Sequence, residues 1–175
     1  MSVVGATMRD YYERRAREYD DWWLGTGLYA RRERPGWHDE LQRVISLLED
    51  LAPARTLDVA CGTGFLTRHL PGAVTGLDQS ATMVEIASAR GLEVVQAEAV
   101  PLPFGDDAFE RLFTARRRVT AAEDWQRRRL NDGSEHDVYK RWFGAPELAR
   151  EVGGEVLHDG HWFVAVRAGR APAPL

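Results

Sequence analysis

A short apolar run, RTLDVA at 55–60, leads straight into the turn CGTG at 61–64, and no other feature narrows the fold of this chain as much. An apolar run that ends on glycines reads as a strand buried on both faces, the habit of parallel sheets. Glycines there let backbone N–H groups come close to a ligand, and the N-terminus of a helix opening after the turn favours an anionic group. FLTRHL at 65–70 predicts that short helix, stopped by Pro71-Gly72. The same alternation follows. AVTGLD at 73–78 reads as a second strand, and residues 81–90 as a helix with Ser80 as its N-cap and Gly91 as its stop. LEVVQA at 92–97 and FERLFT at 109–114 read as a third and a fourth strand. Strand and helix alternating at this spacing predict an α/β fold with an open, mostly parallel sheet.

The flanks read differently. MRDYYERRAREYDDWWL at 8–24 predicts one helix, because Tyr12, Ala16, Tyr19 and Trp23 line one face; Gly25 and Gly27 end it. WHDELQRVISLLEDL at 37–51 predicts a second, with Trp37, Leu41, Val44, Leu48 and Leu51 on a common side. Residues 115–130 read as helical but poorly amphipathic, NDGS at 131–134 as a turn, and PELAREV at 146–152 as a helix with Pro146 in its first turn. EVLH and HWFVAVRA then predict a hairpin around a two-residue Asp159-Gly160 turn. The 175 residues are one domain's worth: a helical cap over 1–52, a ligand-binding half over 53–114 and a shortened half over 115–175.

Composition removes several alternatives. With 44% hydrophobic and 29% charged residues the chain is not a disordered polyelectrolyte. A net charge of −4 disfavours nucleic acid as a partner. One cysteine, Cys61, excludes an intrachain disulfide and predicts a small packing residue within the turn. No apolar stretch is long enough to span a membrane and no apolar leader is visible, so a reducing, cytoplasmic setting is expected. The five histidines show no metal-ligand spacing, so no metal site is expected.

Two acids flank the glycine turn. Asp58 is delivered by the first strand, and Asp78 ends the second strand, 20 residues later. A carboxylate at that second position accepts hydrogen bonds from both hydroxyls of a ribose, which narrows the ligand to one carrying a nucleoside. Glu98-Ala99, after the third strand, offer a carboxylate and an N–H to an adenine edge. The turn lacks the spacing of the dinucleotide fingerprint, with Thr67 where a third glycine belongs, and it lacks the lysine of a P-loop. A nicotinamide-dependent oxidoreductase is therefore disfavoured.

LDVACGTG, GLDQS and AEAVPLPFGDDAFERLFT, in this order and spacing, resemble the class I S-adenosylmethionine-dependent methyltransferases of the small-molecule type, over residues 8–114 and more loosely 131–168. The resemblance implies a Rossmann-like sheet with an antiparallel C-terminal hairpin and an N-terminal helical cap. It also implies S-adenosylmethionine as cofactor, S-adenosylhomocysteine as product and a small-molecule acceptor. It gives roles to particular positions. Asp58 orients the turn or meets the ligand's amino group, and the backbone at Ala60, Gly62 and Gly64 holds the methionine part. Asp78 takes the ribose hydroxyls, Gln79, Glu98 and Ala99 lie by the adenine, and Thr114 faces the methyl group. Tyr12 and Tyr19, in a Y-x(6)-Y-D pattern, cover the ligand or shape the acceptor pocket. No general base is identified; Tyr19 and His136 qualify by residue type.

The family's usual fifth strand has no counterpart, since ARRRVTAAEDWQ holds no apolar run. Losing an interior strand leaves backbone groups unpaired, so three resolutions are open. The closing strand pairs directly with strand four in a sheet of about six strands, a second copy completes the edge as a homodimer, or the sequence is joined across absent residues. The expected function is methyl transfer to an O, N or C nucleophile. The alternative is a degenerate, ligand-binding relative with a regulatory or scaffold role.

Overall fold

The computed structural model describes residues 3–99, 101–105, 107–113, 116–117, 123–141 and 144–169. Its centre is a parallel sheet of β1 (Thr56–Val59), β2 (Val74–Asp78), β3 (Glu93–Gln96) and β4 (Arg111–Phe113), in the order β3-β2-β1-β4. The closing strand, β9 (Phe163–Gly169), runs antiparallel directly against β4, pairing Arg111 with Gly169 and Leu112 with Ala168. A two-residue strand β5 (Arg116–Arg117) pairs with Val164 and Phe163 in unbroken register with β4, so it continues the same lane. With β8 (Glu155–Asp159) on the far edge of β9, the seven strands fill six lanes. Direct pairing of β9 with β4 supplies partners to the backbone groups that a fifth parallel strand would otherwise satisfy.

Helix α3 (Trp37–Glu49) covers one face of the sheet. Its buried Trp37, Leu41, Val44, Ile45 and Leu48 join Phe65, Leu66, Phe113 and Phe163 in the main core. Helix α5 (Ala145–Val152) covers Val164 and Val166 on the other face of β9 through Leu148 and Ala149. Glycines in the left-handed region end the cap's second short helix at Gly25 and α5 at Gly153, which is the glycine C-cap.

Four expectations need correction. The region expected to be helical, 115–130, is extended wherever it is described. β6 (Glu123–Arg129) pairs antiparallel with β7 (Glu135–Arg141) in a two-stranded ribbon; residues 118–122 lie outside the described residues. Arginine favours helices by propensity, and here it stands on both faces of a strand, which hides the period-2 pattern. The expected NDGS turn closes the ribbon, with Gly133 at φ +86° and Asp132 accepting the Ser134 N–H at 2.8 Å. The single helix over 8–24 is broken into α1 (Val3–Arg15), a 3-10 turn Ala16–Glu18 and α2 (Asp21–Leu24), because Asp20 is drawn sideways to the glycine turn. The helix expected over 65–70 is one 3-10 turn, Thr67–His69. The hairpin loop is longer than two residues: Gly160 N–H bonds to Phe163 C=O at 2.9 Å, and Glu40 of α3 takes the intervening N–H groups.

Candidate functional site

The C-terminal ends of β1, β2 and β3 open on a cleft of about 400 Å³ roofed by the cap, within the range usual for small-molecule sites. The turn after β1 forms one wall. Ala60, Gly62 and Gly64 all have positive φ, at +59°, +58° and +74°. For Ala60 this is a strained conformation of the kind that clusters at ligand sites. Two of these positions are also crowded. A Cβ on Gly62 would come within 3.2 Å of the Tyr19 ring, and one on Gly64 would overlap Leu92 behind the turn. Ala60 and Gly62 line the cleft; Gly64 does not. Cys61 lies against Gly76 of β2, and burial pushes its thiol pKa well above the ordinary range, as befits packing rather than nucleophilic chemistry.

Asp78 is 8% exposed and holds the end of β2 against the turn. One carboxylate oxygen accepts the Gly62 N–H at 2.9 Å and the other the Ser80 N–H at 2.9 Å. Burial raises its pKa, opposed by those N–H donors. An ionised carboxylate has about four acceptor sites, so two backbone bonds leave capacity for a pair of hydroxyls on the cleft side. Ser80 caps α4 (Ala81–Ala89) by accepting the Met83 N–H at 3.2 Å. Asp58 is placed elsewhere: it is 3% exposed and accepts the Thr67 hydroxyl at 2.6 Å behind the turn, away from the cleft lining.

Gln79, Glu98 and Ala99 line the far end of the cleft, and Tyr12 and Tyr19 come down from the cap. His136 is not brought to it. Its ring lies 5.6 Å from that of Tyr11 on the inner side of the ribbon, and its Nε2 is 3.1 Å from the Ser134 hydroxyl. Thr114 lies outside the described residues. Among the described residues no group of three or more His, Cys, Asp or Glu could hold a metal ion, and no helix is long and apolar enough to cross a membrane.

The profile of a family described as a methyltransferase domain matches residues 56–131, from β1 through the first ribbon strand. That stretch of the chain is similar to class I methyltransferases. The demethylmenaquinone methyltransferase of Thermus thermophilus is 44% identical over 80 residues, 39% of this chain and 36% of that protein. The demethylmenaquinone methyltransferase of Thermotoga maritima is 38% identical over 93 residues, 45% of this chain and 41% of that protein. The matched stretch thus spans about two fifths of the length of these curated relatives. The solved structure described as the DhpI-SAM-HEP complex superposes with a TM-score of 0.67 at 21% identity, covering 95% of this chain and 99% of that one, a likeness of fold.

The cap is fastened across the cleft by polar ties that sequence reading missed. Arg9 pairs with Glu98 at 2.5 Å. The Glu13 carboxylate accepts the N–H groups of Ala81 and Thr82 at 2.5 and 3.0 Å. Burial pushes the Glu13 pKa up, but hydrogen bonds from Thr82, Ala81 and Ser80 outweigh it and hold the group below its ordinary value. Asp20 accepts the Thr63 hydroxyl at 2.5 Å and pairs with Arg90, which also donates to Thr63 C=O at 2.8 Å. The signal for these ties was the polar side of α1: Arg9, Tyr12 and Glu13 share a helical face, but the aromatic stripe drew the reading instead.

Proposed function

We propose that this chain is an S-adenosylmethionine-dependent methyltransferase acting on a small-molecule acceptor. The observation that carries the reading is Asp78. It is a buried carboxylate at the end of β2, tied by backbone N–H groups to a glycine turn and still lining a cleft of nucleoside size. The relatives' acceptor, demethylmenaquinone, is itself a small molecule and supports that part of the proposal.

When bound, the cofactor supplies an electrophilic methyl group, transferred by in-line displacement to an O, N or C nucleophile. The chain's own contribution is positioning and exclusion of water. Asp78 takes the ribose hydroxyls, the Ala60–Gly62 backbone the methionine part, and Gln79, Glu98 and Ala99 the adenine. Glu98 then shares its carboxylate between the ligand and Arg9. Tyr12 and Tyr19 cover the ligand, and Tyr19 is the side chain we propose for handling an acceptor proton, since His136 packs on the ribbon side of α1. Asp58 steadies the turn through Thr67.

Calorimetric titration with S-adenosylhomocysteine, beside NADH and with Asp78→Ala as control, tests the reading. Micromolar binding of the first ligand, absent in the variant, is the expected result; preference for NADH refutes it. Because β9 replaces the fifth strand beside β4, where this family's resemblance implies an acceptor wall, a second reading is a ligand-binding relative with a scaffold role. Cellular function that survives Asp78→Ala would select that second reading.

A further inference from the structure

The cap contains a buried charge that no carboxylate pairs with directly among the described residues. Arg15, at the end of α1, is 9% exposed. Its Nη1 donates to the Tyr11 hydroxyl at 2.6 Å and its Nη2 to the Tyr29 hydroxyl at 3.3 Å. The guanidinium carbon lies 5.7 Å from the Tyr11 ring centroid and 5.0 Å from that of Tyr19. Every one of these partners is a phenol. Among the described residues no carboxylate forms an ion pair with it. Glu18 is near enough to feel the charge, but its carboxylate accepts the Asn131 N–H at 2.7 Å. Charged side chains are seldom this buried without an opposite charge, because the lost hydration is recovered only by pairing.

Tyr19 links this cation to the cleft. One side of the residue meets Arg15, while its ring edge lies where a Cβ on Gly62 would be 3.2 Å away. Tyr19 thus touches both the buried guanidinium and the turn, and Tyr19 and Gly62 both line the cleft. On the proposed function, that backbone receives the methionine end of the cofactor, whose carboxylate is its one negative charge. Across an aromatic ring that displaces water, opposite charges attract more strongly than they do in bulk solvent.

We propose that Arg15 is the counter-charge for that carboxylate, and so selects adenosyl ligands that carry an amino-acid end over those that lack the carboxylate. The inference rests on the S-adenosylmethionine reading. It makes Arg15 a positioning and specificity residue acting through the Tyr19 wall.

The test is calorimetric titration of the wild-type chain, Arg15→Met and Arg15→Lys with S-adenosylmethionine and with decarboxylated S-adenosylmethionine, which keeps the adenosine, sulfonium and amine. The wild-type protein should favour the carboxylate-bearing ligand by about ten-fold or more, as expected of a charge-assisted interaction away from water. Arg15→Met should weaken that ligand alone and close the gap, and Arg15→Lys should leave part of it. Equal binding of the two ligands by wild type overturns the proposal. So does equal weakening of both in Arg15→Met, which would make Arg15 purely structural, or a gap that survives the substitution. Should Arg15→Met not fold, the wild-type ratio and Arg15→Lys decide, since an unchanged ratio in the lysine variant overturns the proposal. Binding of neither ligand by folded wild type refutes the cofactor reading itself, a distinct failure.

Discussion

Glu40 holds the shortened sheet closed, and removing it should cost more than any surface acid in the chain. The side chain leaves α3 and is 8% exposed. Its Oε1 accepts the N–H groups of Phe163 and Trp162 at 2.8 and 2.9 Å and faces His158 Nε2 at 3.1 Å, while Oε2 accepts the His161 N–H at 3.1 Å. These bonds seat the hairpin loop so that Phe163 stacks on Trp23, with ring centroids 5.6 Å apart, and contacts Trp37 at 4.7 Å. In Glu40→Ala the buried Phe163 N–H loses its acceptor outright, at about 1–3 kcal/mol. The N–H groups of Trp162 and His161 lie nearer solvent and recover part of theirs from water, for about 1 kcal/mol each. The total is about 3–5 kcal/mol, which for a domain of this size lowers Tm by roughly 8–15 °C. Thermal unfolding followed by circular dichroism at neutral pH measures it, and hydrogen exchange at Phe163 localises it. A Glu40→Ala protein within about 1 kcal/mol of wild type would refute the reasoning, because three donors to a buried carboxylate cannot be that cheap to orphan. The pH dependence follows with its sign. Burial pushes the Glu40 pKa up, but the bonds from His158, Phe163 and Trp162 outweigh it and hold the carboxyl below its ordinary value. The latch is therefore at full strength above the ordinary glutamate range and is lost as pH falls through the lowered folded-state value.

Three further outcomes are expected. Gly64→Ala and Gly91→Ala both place a side chain at positive φ, but only the first meets a neighbour, Leu92. Chemical denaturation should show about 2–4 kcal/mol lost at Gly64 against about 1 kcal/mol at Gly91, and equal losses would contradict the packing. Asp20→Ala frees Thr63 and Arg90 from the cap; S-adenosylhomocysteine affinity should drop by roughly 3- to 10-fold while Tm moves by only a few degrees, as for a partly exposed charge network. Asp78→Ala should remove on the order of 100-fold or more of that affinity, the worth of two charge-assisted hydrogen bonds, and titration showing less than about 5-fold would remove Asp78 from the ribose role.

The sequence alone determined the left half of the sheet and the floor of the cleft. Buried parallel strands announce themselves as short apolar runs, and their turns as glycines, because both demands are local: two-sided burial and positive φ. RTLDVA and AVTGLD therefore carried their own assignment, LEVVQA reads as a strand although it is only half-buried at the sheet edge, and Asp78, Glu98 and Ala99 came with them by position, whereas Ala60, Gly62 and Gln79 were supplied by the family resemblance. Helix α3 was equally legible, since its buried side is apolar but for Glu40. Tertiary structure decided what local pattern does not contain. The arginine-rich segment 123–129 is a strand because β7 pairs with it residue by residue, in a ribbon whose Leu130 and Val138 pack on Tyr11. The break after Arg15 exists because Asp20 has partners more than 40 residues away in Thr63 and Arg90. The missing fifth strand is resolved by β9 pairing with β4, a contact between residues that nothing in their own neighbourhoods links. Turn chemistry and two-sided burial are written within a few residues of where they act, whereas register across a sheet, ion pairs between distant segments and the charge environment of Arg15 exist only once the chain has closed on itself.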